Sequence, residues 1–364
     1  MNISCYNAFV DSDEALWIPS KEINGVFYKT ANGGCQYLFS FEEKDGKRIE
    51  IIKTVKFRDK VFFFCRNLNK YWKYDCTNEA LSECSYGTNT GIITSAILEN
   101  SRVWLFPWDF DKPIYVISLI DETVEKIEWN INSIDNKTSV IGNYLVGSSM
   151  IKAYYNNDRI FLANRLEDKI SIIEIDCVER SIRGKRLNGI KRINALASAD
   201  NKIYLLCLDD KEKTVINQVD MATWQINKSI DLSEYIVIHN QNPLEFFRLI
   251  KYDNELMIFP VKKGKVLVIK DMEDLYWLKN SNGEDSFLSC YDYQIKDEKC
   301  YLFSAEDDGI SVIKRNEDGF LTAYTLIIDN SDSYYVDALK ILGSKHGILK
   351  ESKNLNLNTF LKSI

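Results

Sequence analysis

Short apolar runs recur along the chain, each entered and left through polar turns. In "NNDRIFLAN" (156–164) a turn of Asn, Asp and Arg leads into Ile160, Phe161, Leu162 and Ala163, and the chain then turns polar again. A strand that covers only one face alternates apolar and polar; this one is apolar on both faces, so a neighbour must cover each side. The same pattern recurs in "DSDEALWIPS", "FRDKVFFFC", "ENSRVWLFP", "ADNKIYLLC", "YDNELMIFP" and "KDEKCYLFS". Each copy has a polar turn with Asp or Asn, an aliphatic residue, one large residue and further apolar positions. The large residues are Trp17, Phe62, Trp104, Phe161, Tyr204, Met257 and Tyr301.

An alternating run precedes each copy, as in "RINALAS", and two more runs follow, as in "KVLVIKD". Four short strands per roughly 40–45 residues is the period of a propeller blade. The pattern predicts an all-β chain: a seven-bladed β-propeller of four-stranded antiparallel blades. Ile160 and Leu162 should face one neighbouring blade, Phe161 and Ala163 the other. A large antiparallel sandwich would have no reason to repeat at so constant a period. The blades are expected at about 3–46, 49–88, 93–130, 148–189, 192–232, 245–280 and 288–328. Residues 329–364 do not repeat. They read as a short C-terminal strand and helix, capped by Asn358 or Thr359, that close the ring.

With these repeats the chain resembles bacterial β-propeller repeat proteins, loosely kelch-like and quinoprotein-like, of a family of unknown function. The resemblance covers roughly residues 3–328. It departs from true kelch repeats, since "NGG" at 32–34 holds the only Gly doublet, and Trp108-Asp109 is a lone Trp-Asp pair. The resemblance therefore implies an architecture and no activity.

Strand order assigns the loops to faces. The turn after each motif strand and the loop between blades emerge on the same side. The two longest inter-blade segments, 130–149 and 232–247, fall there, which makes it the expected binding face. Its candidate binding residues are Arg66 and Asn67, Trp108 and Asp109, Asn164 and Arg165, and His239. Exposed aromatic and Arg side chains are enriched at interfaces.

Composition narrows the chemistry. Apolar residues make up 45% and charged residues 27%, with net charge -7. No Lys/Arg block stands out, so no nucleic-acid partner is expected. No apolar run approaches the ~20 residues that span a bilayer, and no membrane partner is expected. The start, "MNISCYNAFVDSDEALW", has no signal-peptide pattern. Nine cysteines, with no C-x-x-C pair, read as free thiols in a cytoplasmic protein.

The two histidines, His239 and His346, are far apart in sequence, so no His pair has metal-ligand spacing. No phosphate-cradling glycine motif and no G-x-S-x-G elbow is present, and no metal or cofactor is expected. His239 is the one candidate acid or base. The expected function is a non-catalytic binding or scaffold propeller, a monomer that takes a protein or peptide partner. An enzyme of lyase or hydrolase type acting on a small or glycan-like substrate is the alternative. A carbohydrate-recognition module is the third reading.

Overall fold

The computed structural model describes residues 7–20, 24–31, 34–41, 49–87, 90–107, 112–129, 154–156, 158–163, 172–233, 246–260, 263–304 and 309–327. The segment read as a closing strand and helix lies outside them. Among the described residues no helix is long and apolar enough to cross a membrane.

The chain is a seven-bladed β-propeller of antiparallel blades. In blade 2 the strands are Ile51–Phe57, Lys60–Cys65, Lys70–Asp75 and Ala80–Ser85, in that order from the axis outward. The other blades repeat this meander. In every blade the motif residue on the second strand pairs across the hairpin with one position of the first strand. The pairs are Phe9 with Trp17, Val55 with Phe62, Ile97 with Trp104, Tyr154 with Phe161, Ala197 with Tyr204, Ile250 with Met257 and Gln294 with Tyr301. All seven motif residues are buried.

Their side chains all point the same way round the ring. Phe62 packs with Val103 and Leu105 of the next blade, and Trp104 with Ile160 and Leu162. Phe161 and Ala163 join the cluster of Ile203 and Leu205. Met257 packs with Cys300 and Leu302, and Tyr301 closes the circle against Leu16 and Ile18 of blade 1. Alternate residues of the same strands face the preceding blade, as Ile160 and Leu162 do. The two-faced apolar strand thus meets a sheet on each side. Where the motif residue is Trp, its buried indole N–H needs an acceptor. Asp11 supplies one for Trp17 at 3.5 Å and Glu99 one for Trp104 at 3.1 Å.

The turns on one face carry the joints. Each turn from first to second strand contains a left-handed residue: Glu14, Arg58, Asn100, Asp158, Asp200 with Asn201, Asp253, or Asp297 with Glu298. Tight hairpins need this conformation, and Asp and Asn tolerate it best. In blades 3 to 6 the third-to-fourth turn holds a second left-handed residue, which reaches back over the preceding blade. Glu122 takes Lys60 at 2.7 Å and Lys73 at 2.6 Å. Arg180 lies 4.8 Å over the Trp104 ring and bonds Glu125 at 3.0 Å. Trp224 stands 6.4 Å from Phe161, and Met272 joins the cluster of Tyr204.

Two details were not legible in the repeat. Lys279–Asn280 run parallel to the outer strand of blade 7, Leu321–Ile327, and make that blade five-stranded. Among the described residues, blades 1 and 7 each take their strands from their own end of the chain, and side chains bridge the seam between them. Gln294 accepts from the Val10 N–H at 2.9 Å and donates to the Val10 carbonyl at 2.8 Å. Lys296 donates to the Asp11 carbonyl, and Lys299 pairs with Glu14.

Phe161→Ala removes the side chain that joins blades 4 and 5. It should cost about 3–5 kcal/mol in urea unfolding, as for other buried aromatics; an unchanged midpoint would contradict this packing.

Acid should also weaken the fold. Asp176 accepts from the Glu179 and Val178 N–H groups and Asp220 from those of Thr223 and Ala222, and these bonds hold both carboxyls below their usual range. A carboxylate held low in the folded state stabilises it above the unfolded pKa, roughly 4, and that contribution is lost as pH falls through the folded value. Urea midpoints should therefore drop below about pH 4, and Asp220→Asn should flatten the drop. A midpoint indifferent to pH between about 7 and 3 would refute the role of these turns.

Candidate functional site

The inner strands begin at the mouth of the central channel, on the face opposite the clasping turns. Several of them enter with an extra residue. Ile51 pairs with Cys65 and Lys53 with Phe64, which leaves Ile52 as a bulge. The same slip occurs between Ile93 and Ser95, between Ile193 and Ala195, and between Phe246 and Arg248. Bulges bend a strand and re-aim its side chains. The residue after each bulge pairs with the position two beyond the motif residue. That position holds Lys53, Ser95, Ala195 and Arg248, and Asp292 occupies it in blade 7 without a bulge.

The charged members lie on the side of the seam. Lys53 of blade 2 reaches Asp292 of blade 7 at 3.5 Å, across the intervening blade 1. The fully buried Arg248 donates to the Tyr291 carbonyl. Asn7 of blade 1 donates to the Ile51 carbonyl, and its own carbonyl accepts from Thr54 at 2.9 Å. Burial pushes the Tyr291 phenol up; Arg66 and Arg248 pull it down, and Asp292 and Glu50 add to the rise. Four consecutive blades, 6, 7, 1 and 2, thus contribute to one charged arc.

Arg66 belongs to this arc. It directly follows the second strand of blade 2, and its N–H donates to the Glu50 carbonyl at 2.7 Å. Its guanidinium lies 3.9 Å from the Glu50 carboxylate and is partly exposed. Its carbonyl accepts from the Ile93 N–H at 2.9 Å, which brings Ile92, 50% exposed, beside it. Asn67 is engaged within its own blade. Its carboxamide oxygen accepts from the Glu50 N–H at 3.2 Å and from the Cys65 thiol at 3.1 Å. Trp108, Asp109, Asn164, Arg165 and His239 lie outside the described residues.

Cys65, directly beneath Arg66, is not a nucleophile. Burial pushes its thiol up to about 11, so it is protonated at neutral pH. Among the described residues no group of three or more His, Cys, Asp and Glu could hold a metal ion. The arc can therefore offer matched charges and an adjacent aliphatic surface. Sequence reading picked Arg66 from its turn and did not pick Lys53, Arg248, Tyr291 and Asp292, which the structure places in the same arc. The signal for three of them was available: count two residues past the motif position and cross the hairpin.

No family model matches the chain, and no curated protein matches it. Solved structures share its shape. A virginiamycin B lyase from Staphylococcus aureus is 12% identical with a TM-score of 0.56, over 84% of this chain and 94% of that one. A streptogramin B lyase is 13% identical with a TM-score of 0.55, over 84% and 92%. BamB from Moraxella catarrhalis is 10% identical with a TM-score of 0.51, over 87% and 83%. At such identities the likeness is one of fold. It supports the propeller and does not extend to a kelch-like family.

The eight described cysteines are free, six of them buried. Burial pushes Cys177 and Cys207 up to about 12. In native protein an alkylating agent at neutral pH should modify Cys76 and Cys84 among these eight, and the other six only after denaturation. Mass mapping of the adducts reads the result, and prompt modification of Cys177 or Cys207 would contradict it.

Proposed function

We propose that the chain is a non-catalytic binding propeller, a cytoplasmic scaffold that holds a protein or peptide partner at the channel mouth. The observation that carries this reading is the pairing of the exposed Ile92 with the partly exposed Arg66 at the edge of the charged arc. An aliphatic anchor beside an arginine is the combination that interfaces favour. A partner segment with an apolar side chain and a neighbouring carboxylate would satisfy both. The free cysteines support the cytoplasmic assignment.

A lyase shares the architecture, so catalysis on this fold is the competing reading. The mouth argues for binding. Lys53 is matched by Asp292 and Arg66 by Glu50. Charges neutralised in pairs define a surface, whereas acid–base work needs a group poised to lose or gain a proton.

Affinity capture from native lysate tests the proposal with three baits: wild type, Arg66→Ala/Ile92→Ser, and Ile120→Ser/Val178→Ser on the opposite face. An interface anchor contributes roughly 1–2 kcal/mol, so the first variant should retain at least about tenfold less of the partner. The second variant should retain it fully. Equal retention by all three baits, loss from the second variant alone, or a retained small molecule with no protein would each overturn the proposal.

A further inference from the structure

A second cleft lies at the outer rim between blades 4 and 5, on the face of the clasping turns. Its volume is about 240 Å³, below the roughly 300–1,000 Å³ of sites for drug-sized ligands. Charged and polar side chains dominate its lining, with Arg159, Glu174, Asp176, Ser181, Arg183 and Lys185 from blade 4. Trp224 of blade 5 forms the facing wall, held there by its left-handed turn conformation. That conformation is uncommon for an aromatic residue.

The charges do not balance. Arg159 and Lys185 share one carboxylate, the buried Glu174, at 3.0 and 3.9 Å. Asp176 accepts from two backbone N–H groups of its own turn. Arg183 meets the exposed Glu179 at 3.8 Å, and its charge helps to hold Asp176 low. Counted over the lining of the cleft alone, three cations face two carboxylates. Lys185 lies 5.0 Å from the centre of the Trp224 ring, which keeps its ammonium at the cleft. The Ser181 Oγ is buried and has no hydrogen-bond partner among the described residues. A buried hydroxyl ordinarily has one.

We propose that this cleft binds a sugar-sized ligand, a hydroxylated ring with a single anionic substituent such as a hexose phosphate or a hexuronate. Arg183 and Lys185 take the anion through charge-assisted bonds. Glu174 accepts from ring hydroxyls, the Ser181 hydroxyl completes its hydrogen bonding on the ligand, and the C–H face of the ring lies on Trp224. The site is independent of the partner surface at the channel mouth and uses none of its residues.

Calorimetric titration with four probes tests the assignment: glucose 6-phosphate, glucuronate, glucose and inorganic phosphate. The two anionic sugars should bind saturably, at least about tenfold tighter than glucose or phosphate alone. Arg183→Gln/Lys185→Met, at partly exposed positions, should keep the fold by circular dichroism and lose at least about tenfold in affinity for both sugars. Ser181→Ala should weaken them less. Four results would overturn the proposal: glucose binding as tightly as the acids, phosphate binding as tightly as glucose 6-phosphate, no saturable binding of either acid, or an Arg183/Lys185 variant that binds like wild type.

Discussion

A strand that is apolar on both faces needs a sheet on each side. The second strand of every blade in this protein is such a strand, and the rest of the architecture answers that need. No blade can bury it alone, since one side would stay in water and forfeit roughly 1.5–3 kcal/mol for each large side chain. The only arrangement that gives each of a series of equivalent sheets two neighbours is a closed ring. Trp17, Phe62, Trp104, Phe161, Tyr204, Met257 and Tyr301 all face the following blade, so the contact that defines one joint defines all seven, the seam included.

The seam joins the first and last blades, which lie far apart in the chain. Here a polar clasp accompanies the apolar contact. Gln294 satisfies both backbone groups of Val10, whose ladder would otherwise end at the channel. Across the seam the Asp11 carbonyl accepts from Lys296, while its carboxylate receives Trp17 and the Ser12 N–H of its own blade and Lys56 of blade 2. Burial pushes that carboxyl up, yet these donors together hold it below its usual range. The charged arc at the mouth spans the same seam, through Lys53 and Asp292. The seam and the charged arc thus meet at the Lys53–Asp292 pair.

The apolar code was legible in the sequence because it repeats with one chemistry at a near-constant spacing. The opposite orientation of Ile160 and Phe161 followed from strand alternation alone. The clasping turns were not legible, although they also repeat. Their left-handed position is Glu122 in one blade, Arg180 in the next, then Trp224 and Met272. Backbone conformation is shared while side-chain chemistry is not, and a pattern of residue types cannot register that. The mouth was hidden for a related reason. A bulge shifts which residue follows the hairpin register, so Lys53 and Arg248 look like ordinary strand residues in the linear chain. Asn67 was chosen as a surface amide, but its oxygen is engaged by Glu50 and Cys65 of its own blade.

Native-state hydrogen exchange measures the two-sided burial most directly. If it governs the fold, the backbone amides of the seven motif residues will exchange together, slowly, and only through global unfolding. Amides in the outer strands Ala80–Ser85 and Ile226–Asp231 will exchange faster through local opening. Motif-strand amides that exchange as fast as those of the outer strands, or that divide into separate slow and fast blades, would contradict the account.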